Sequence, residues 1–98
     1  MSDVAFLERL QTVIRQRTAT APPSSYTAKL AAQGVLKVAQ KVGEEAVELA
    51  LAAAAQDKIR VTAEAADLIY HLLLLLHLRD LSLGDVVDEL ERRHRDVA

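Results

Sequence analysis

Cysteine and tryptophan are absent from the 98 residues, and methionine occurs only at position 1. Without thiols there is no disulfide, no thiolate metal site and no cysteine nucleophile, a pattern suited to the reducing cytoplasm, where the chain is expected to reside. Aromatic residues are limited to Phe6, Tyr26 and Tyr70. With only three glycines and two prolines against abundant alanine and leucine, the composition favours helices over strands, and an all-α fold is expected. An excess of positive charge is also missing: the formal net charge is −2, so no field draws a nucleic acid or an anionic membrane, and neither is expected as a partner. The amino end, Met1-Ser2-Asp3-Val4, has no basic segment before an apolar run, which argues against a secretory signal. The longest apolar stretch, Leu68 to Leu78, is interrupted by Tyr70, His71 and His77 and falls short of the ~20 residues that span a bilayer. The length suits one domain across residues 1–98.

What is present is helical periodicity. Phe6, Leu7, Leu10, Val13 and Ile14 follow the capping candidates Ser2 and Asp3 and predict a first helix that ends before Pro22-Pro23. The small, polar run Thr18 to Ser25 reads as a loop, with Ser25 capping a short helix through Ala32 before Gly34. Val35, Val38, Val42, Ala46, Leu49 and Ala53 mark one long helix to about Ala55, and the polar cluster Gln56-Asp57-Lys58 predicts a reversal. From Val61 to about Arg79 another long helix carries leucine on nearly every side, and such a helix must be covered all round. Ser82 to Asp85 forms a capping box that opens a last helix, with Arg92, Arg93 and Arg95 toward its end. These elements cannot surround the leucine-rich helix alone, which predicts a helical bundle completed by dimerisation.

The chemistry lies in carboxylates. Glu44, Glu45 and Glu48 share one side of the first long helix, and Glu64 and Asp67 repeat the i, i+3 spacing on the next. If the chain turns at Gln56, Glu48 and Glu64 lie eight residues from the turn and Glu45 and Asp67 eleven, so antiparallel packing levels the two pairs. Like charges held together raise the cost of ionising one another, and a hard divalent cation with oxygen ligands relieves that cost. The plainer alternative is a solvated acidic face, since Lys37 and Lys41 share the side of Glu44 and Glu48. Glu64, Asp67 and His71, however, run directly into Leu74 and Leu78 on an otherwise greasy helix, where an unpaired charge is expensive. Gly43 sits within a helix at a cost of about 1 kcal/mol relative to alanine, which predicts a close approach by a neighbouring helix or by substrate.

Glu44-Glu45-x-x-Glu48, followed after fifteen residues by Glu64-x-x-Asp67, resembles the signature of the all-α nucleotide pyrophosphohydrolase superfamily, which includes MazG proteins and dimeric dUTPases. The segments Ser25-Tyr26-Thr27-Ala28-Lys29-Leu30, Lys41-Val42-Gly43-Glu44-Glu45-Ala46, Ala65-Ala66-Asp67-Leu68-Ile69-Tyr70-His71-Leu72-Leu73 and Glu91-Arg92-Arg93-His94 are similar to the phosphoribosyl-ATP pyrophosphatase family from Ser25 onward. That resemblance implies Mg2+-dependent hydrolysis of phosphoribosyl-ATP to phosphoribosyl-AMP and pyrophosphate in histidine biosynthesis. It implies Glu45, Glu48, Glu64 and Asp67 as metal ligands, with Glu44 as an outer-shell ligand or a group orienting the attacking water. Lys29, Lys41, Tyr26, Thr27 and His71 stand in the matching segments as substrate-binding candidates, although Tyr26 suits a core aromatic and His71 a hydrogen-bonded structural residue equally well. The cyclohydrolase domain fused to this activity in some organisms is not expected within these 98 residues, which also hold no cysteine for its zinc site. Two other readings remain: a general MazG-like nucleoside triphosphate pyrophosphohydrolase, and a non-catalytic helical dimerisation protein.

Overall fold

Asp57 begins the longest element of the chain. Its carboxylate accepts the amide hydrogens of Ile59 and Arg60 at 3.1 and 3.2 Å, so the helix starts at Lys58 rather than at Val61, and a residue read as part of a polar turn is its N-cap. The computed structural model describes residues 2–20, 22 and 25–96. It contains α1 (Phe6–Thr20), α2 (Tyr26–Ala32), α3 (Val35–Ala54), α4 (Lys58–Leu78) and α5 (Leu83–Arg93), with no strand among the described residues. The fold is all-α.

Local chemistry sets the other boundaries. Asp3 accepts from the Ala5 amide at 2.9 Å ahead of α1. That helix runs through Thr18, which the composition assigned to a loop, because the hydroxyls of Thr18 and Thr20 donate back to the carbonyls of Arg15 and Gln16 and His77 Nε2 meets Thr18 Oγ1 at 2.9 Å. Ser25 caps α2 as expected, and Ser82 and Asp85 complete a reciprocal capping box on α5. At the α3–α4 reversal Gln56 adopts φ +62, the left-handed position that ends many helices.

The hairpin of α3 and α4 is the most extensive packing in the chain, with α1 and α2 laid against it. Ile14, Leu30, Val38, Leu73 and Leu74 form one buried cluster, to which Leu10, Tyr70, Leu75, Leu78 and Leu83 add partly buried surface. Each fully buried aliphatic side chain contributes about 1.5–3 kcal/mol. The core is small, however. On α4 only His71, Leu73 and Leu74 are buried, and α5 buries no residue. The chain exposes 7096 Å², against about 5,500 Å² expected for a folded monomer of its mass. Its radius of gyration is 14.9 Å, where about 13 Å is usual for this length. By length and composition α4 could cross a membrane, yet it carries Glu64, Asp67 and His71 along its span.

Candidate active site

A pitch of 3.6 residues puts Val38, Lys41, Glu45, Glu48 and Ala52 on one side of α3, the side turned to α4. Val38, Glu45 and Ala52 are buried there. Glu64 rises from α4 to meet them, and carboxylate oxygens of Glu45, Glu48 and Glu64 all lie within 4.8 Å of one another. The counting from Gln56 therefore sets Glu48 level with Glu64, but it does not bring Asp67 into the group with Glu45. Asp67, one turn further along α4, is exposed and stands outside that trio, though its charge acts on Glu64.

Glu64 bears the strain of this arrangement. Its Oε2 is buried and has no hydrogen-bond partner. Burial first, then a hydrogen bond with Glu48 and the charges of Glu48, Asp67 and Glu45, hold its carboxyl above the ordinary glutamate value. Among the described residues two positive or potentially positive groups approach the trio, both at Glu45 Oε1: Lys41 Nζ at 3.7 Å and His71 Nδ1 at 3.9 Å. Oxygen donors crowded together with one orphaned buried atom suit a hard cation, which takes such ligands and leaves positions for water and phosphate.

His71 is hydrogen-bonded at both nitrogens. Nδ1 lies 2.8 Å from the Asp67 carbonyl, which can only accept, so Nδ1 carries hydrogen; Nε2 lies 2.7 Å from the Tyr26 hydroxyl. Both phenols contact the imidazole edge-on, Tyr26 with ring centroids 5.9 Å apart and Tyr70 with 5.6 Å. Thr27 is 1% exposed and its hydroxyl is bonded to that of Tyr70, which places it in the α2–α4 contact rather than open to a ligand. Sequence reasoning overlooked Tyr70; its position next to His71 was the available signal, but nothing in the sequence fixed the level at which α2 meets α4. Glu44 points around the helix from Glu45 and accepts from Gln40 Nε2 at 3.0 Å. Lys29 is exposed on α2. Neither is brought to the trio by a described contact. Arg92 and Arg93 both engage Glu89 on α5, and together they hold its carboxyl below the usual range.

Fold and site thus define an all-α protein with a cluster of three carboxylates, of a kind that could hold a cation, between two long helices. Residues 7–94 match the family described as phosphoribosyl-ATP pyrophosphohydrolase. The chain is 59% identical over 86 residues to phosphoribosyl-ATP pyrophosphatase of Pyrobaculum aerophilum, covering 88% of this chain and 92% of that one. It is 57% identical over 89 residues to the protein of the same name from Pyrobaculum islandicum, covering 91% and 95%. Similarity extends to the histidine biosynthesis bifunctional protein HisIE of Salmonella typhi, 52% identical over 90 residues that make up 92% of this chain and 44% of that longer protein. The chain belongs to the phosphoribosyl-ATP pyrophosphohydrolase family.

Proposed function

We propose that this chain hydrolyses phosphoribosyl-ATP to phosphoribosyl-AMP and pyrophosphate in histidine biosynthesis, as a cytoplasmic homodimer that uses Mg2+. Family membership supplies the substrate, and the observation that carries the chemistry is the buried, unpartnered Glu64 Oε2 among neighbouring acids. Glu45, Glu48, Glu64 and Asp67 would hold the ion. When bound, Mg2+ supplies positive charge to phosphoryl oxygens and acidifies a coordinated water. Lys41, already beside Glu45, brings an ammonium to the cluster's edge for the phosphates, and exposed Lys29 adds a second on α2. Glu44 stands outside the cluster, which suits an outer-shell or water-orienting role. Of the other candidates, Tyr26 stands exposed on α2 beside the cluster, whereas Thr27 and His71 are buried in the α2–α4 contact and would act from behind it.

The dimer follows from apolar surface. Leu36, Val47 and Leu51 of α3 and Ile59 and Ile69 of α4 are exposed, Leu36 by 87% and Ile59 by 85%. The surface in excess of a monomer's, roughly 1,600 Å², is of the order that each protomer buries in an obligate homodimer. Gly43 lies on that outer face, and a Cβ there would meet nothing within 4 Å in this chain, so no helix of the same chain explains the glycine. A second copy does.

The test is pyrophosphate release from phosphoribosyl-ATP, dUTP and dATP, each with and without Mg2+. Release from phosphoribosyl-ATP alone, dependent on Mg2+, is expected. Preference for dUTP or dATP would instead indicate a general nucleotide pyrophosphohydrolase, and no release from any substrate, with no stabilisation by Mg2+, would leave a helical dimerisation protein. Sedimentation at micromolar concentration is expected to give a dimer; a monomer would overturn that part.

A further inference from the structure

Tyr26 is 54% exposed, a degree at which an aromatic ring normally has no fixed duty, yet its hydroxyl is committed 2.7 Å from His71 Nε2. The imidazole is buried, and its tautomer follows from its partners. Because Nδ1–H donates to the Asp67 carbonyl, a neutral ring offers a bare Nε2, which the Tyr26 hydroxyl fills as donor. That same edge lies 3.9 Å from Glu45 Oε1, beyond hydrogen-bond reach, so the buried imidazole packs beside the carboxylate rather than bonding to it. Remove the phenolic hydroxyl and only the Asp67 carbonyl still holds the ring, at one of its two nitrogens. Alongside, the Thr27–Tyr70 hydroxyl pair ties the next residue of α2 to the preceding residue of α4, so the dipeptides Tyr26-Thr27 and Tyr70-His71 are bonded to each other reciprocally.

We propose that Tyr26 is a positioning residue that acts through His71 to fix the Glu45 carboxylate within the acidic cluster, rather than a contact for substrate. This rests on the reading of the cluster as a divalent-cation site. The contact makes Tyr26 a group behind the ligands, of the kind whose loss costs about 10–100-fold in metal affinity or activity. The Tyr70–Thr27 pair keeps α2 at the level where Tyr26 can reach.

The experiment measures Mn2+ binding to the substrate-free protein by electron paramagnetic resonance, together with kcat and KM for phosphoribosyl-ATP. Tyr26→Phe keeps the ring and deletes only the hydroxyl. It is expected to weaken Mn2+ binding about tenfold and to lower kcat with little change in KM, while the melting temperature stays near that of the wild type. His71→Asn retains an amide donor toward Asp67, while its shorter side chain has no acceptor at the position of Nε2; in that background Tyr26→Phe should have no further effect on Mn2+ affinity. Unchanged Mn2+ affinity with a raised KM in Tyr26→Phe would make Tyr26 a substrate contact and overturn the proposal, as would an undiminished tenfold loss in the His71→Asn background. Mn2+ binding by a wild type that releases no pyrophosphate from phosphoribosyl-ATP would defeat the proposed reaction and leave the positioning role standing. Absence of Mn2+ binding by the wild type would defeat both.

Discussion

Both faces of α3 depart from the usual order of polarity: the inner one sets acids between buried Val38 and Ala52, and the outer one sets exposed apolar side chains beside Gln40 and Glu44. Toward α4, between two packed helices, stand Lys41, Glu45 and Glu48, with Glu64 opposite; toward the outside stand Leu36, Val47 and Leu51, all exposed. A lone amphipathic helix would show its carboxylates to water and its leucines to the core. The inner face therefore sets one ammonium, Lys41, against three carboxylates, and the outer face has exposed apolar side chains that no other helix of this chain covers. On this comparison the inner deficit calls for an ion and the outer for another polypeptide, which is why one helix informs on both catalysis and assembly.

The inner face is broken most severely by Glu64→Gln. The change keeps the side-chain shape while removing a ligand charge, and activity is expected to fall by more than about 100-fold, beyond what loss of an outer-shell partner costs. Circular dichroism should show unchanged helix content. Glu48→Gln should behave alike; full turnover in either variant would exclude that residue as a ligand. The outer face is broken by Val47→Glu, since Val47 is 59% exposed in the single chain and buried in the proposed dimer. A charge forced into an apolar interface costs several kcal/mol. Sedimentation should then report a monomer where the wild type is a dimer. A Val47→Glu protein that still dimerises would move the interface elsewhere.

A pH titration of the metal-free protein sharpens the inner half of the comparison. Glu64 has a raised folded-state pKa, through burial first and its acidic neighbours second. Its contribution to stability is therefore fully present below the ordinary glutamate value and is lost as pH rises through the raised one. Metal-free protein is expected to melt at a lower temperature near pH 8 than at the ordinary glutamate value, and Mg2+ should recover the loss at the higher pH. Glu89 works in the opposite sense, since Arg92 and Arg93 lower its pKa; its contribution is present above the ordinary value and disappears in more acidic solution. Glu64→Gln should flatten the slope between these two pH values. An equal slope in that variant would assign the effect to another group.

Much of this contrast was legible from spacing. Counting outward from Gln56 set Glu48 level with Glu64, because a short reversal between two regular helices leaves the register little freedom. Capping chemistry was legible at Ser25 and Ser82, but at Asp57 it was masked by a polar run that resembled a turn, and at Thr18 a β-branched residue is held helical by back-bonding and by a tertiary partner, His77. Thr27 reads as a polar candidate in the sequence, and only the docking of α2 on α4 shows its hydroxyl consumed by Tyr70. The difference is physical: i, i+3 patterns belong to one helix, whereas the level at which α2 meets α4, with all of α3 between them in sequence, depends on packing.

The smallest effect lies at Gly43, which belongs to the outer face and has no neighbour within its own chain. Alanine there should favour the helix by about 1 kcal/mol if the site is open, and should lose that gain if a second α3 crosses close to the glycine backbone. The two conditions can be separated. In the monomeric Val47→Glu background, Gly43→Ala is expected to raise the melting temperature by roughly 4–8 °C, the shift that 1 kcal/mol produces in a chain of this length. In the wild-type background the rise should be absent or reversed, with a weaker dimer at low protein concentration. An equal rise in both backgrounds would place Gly43 outside the interface and leave the exposed leucines of α3 as its only support.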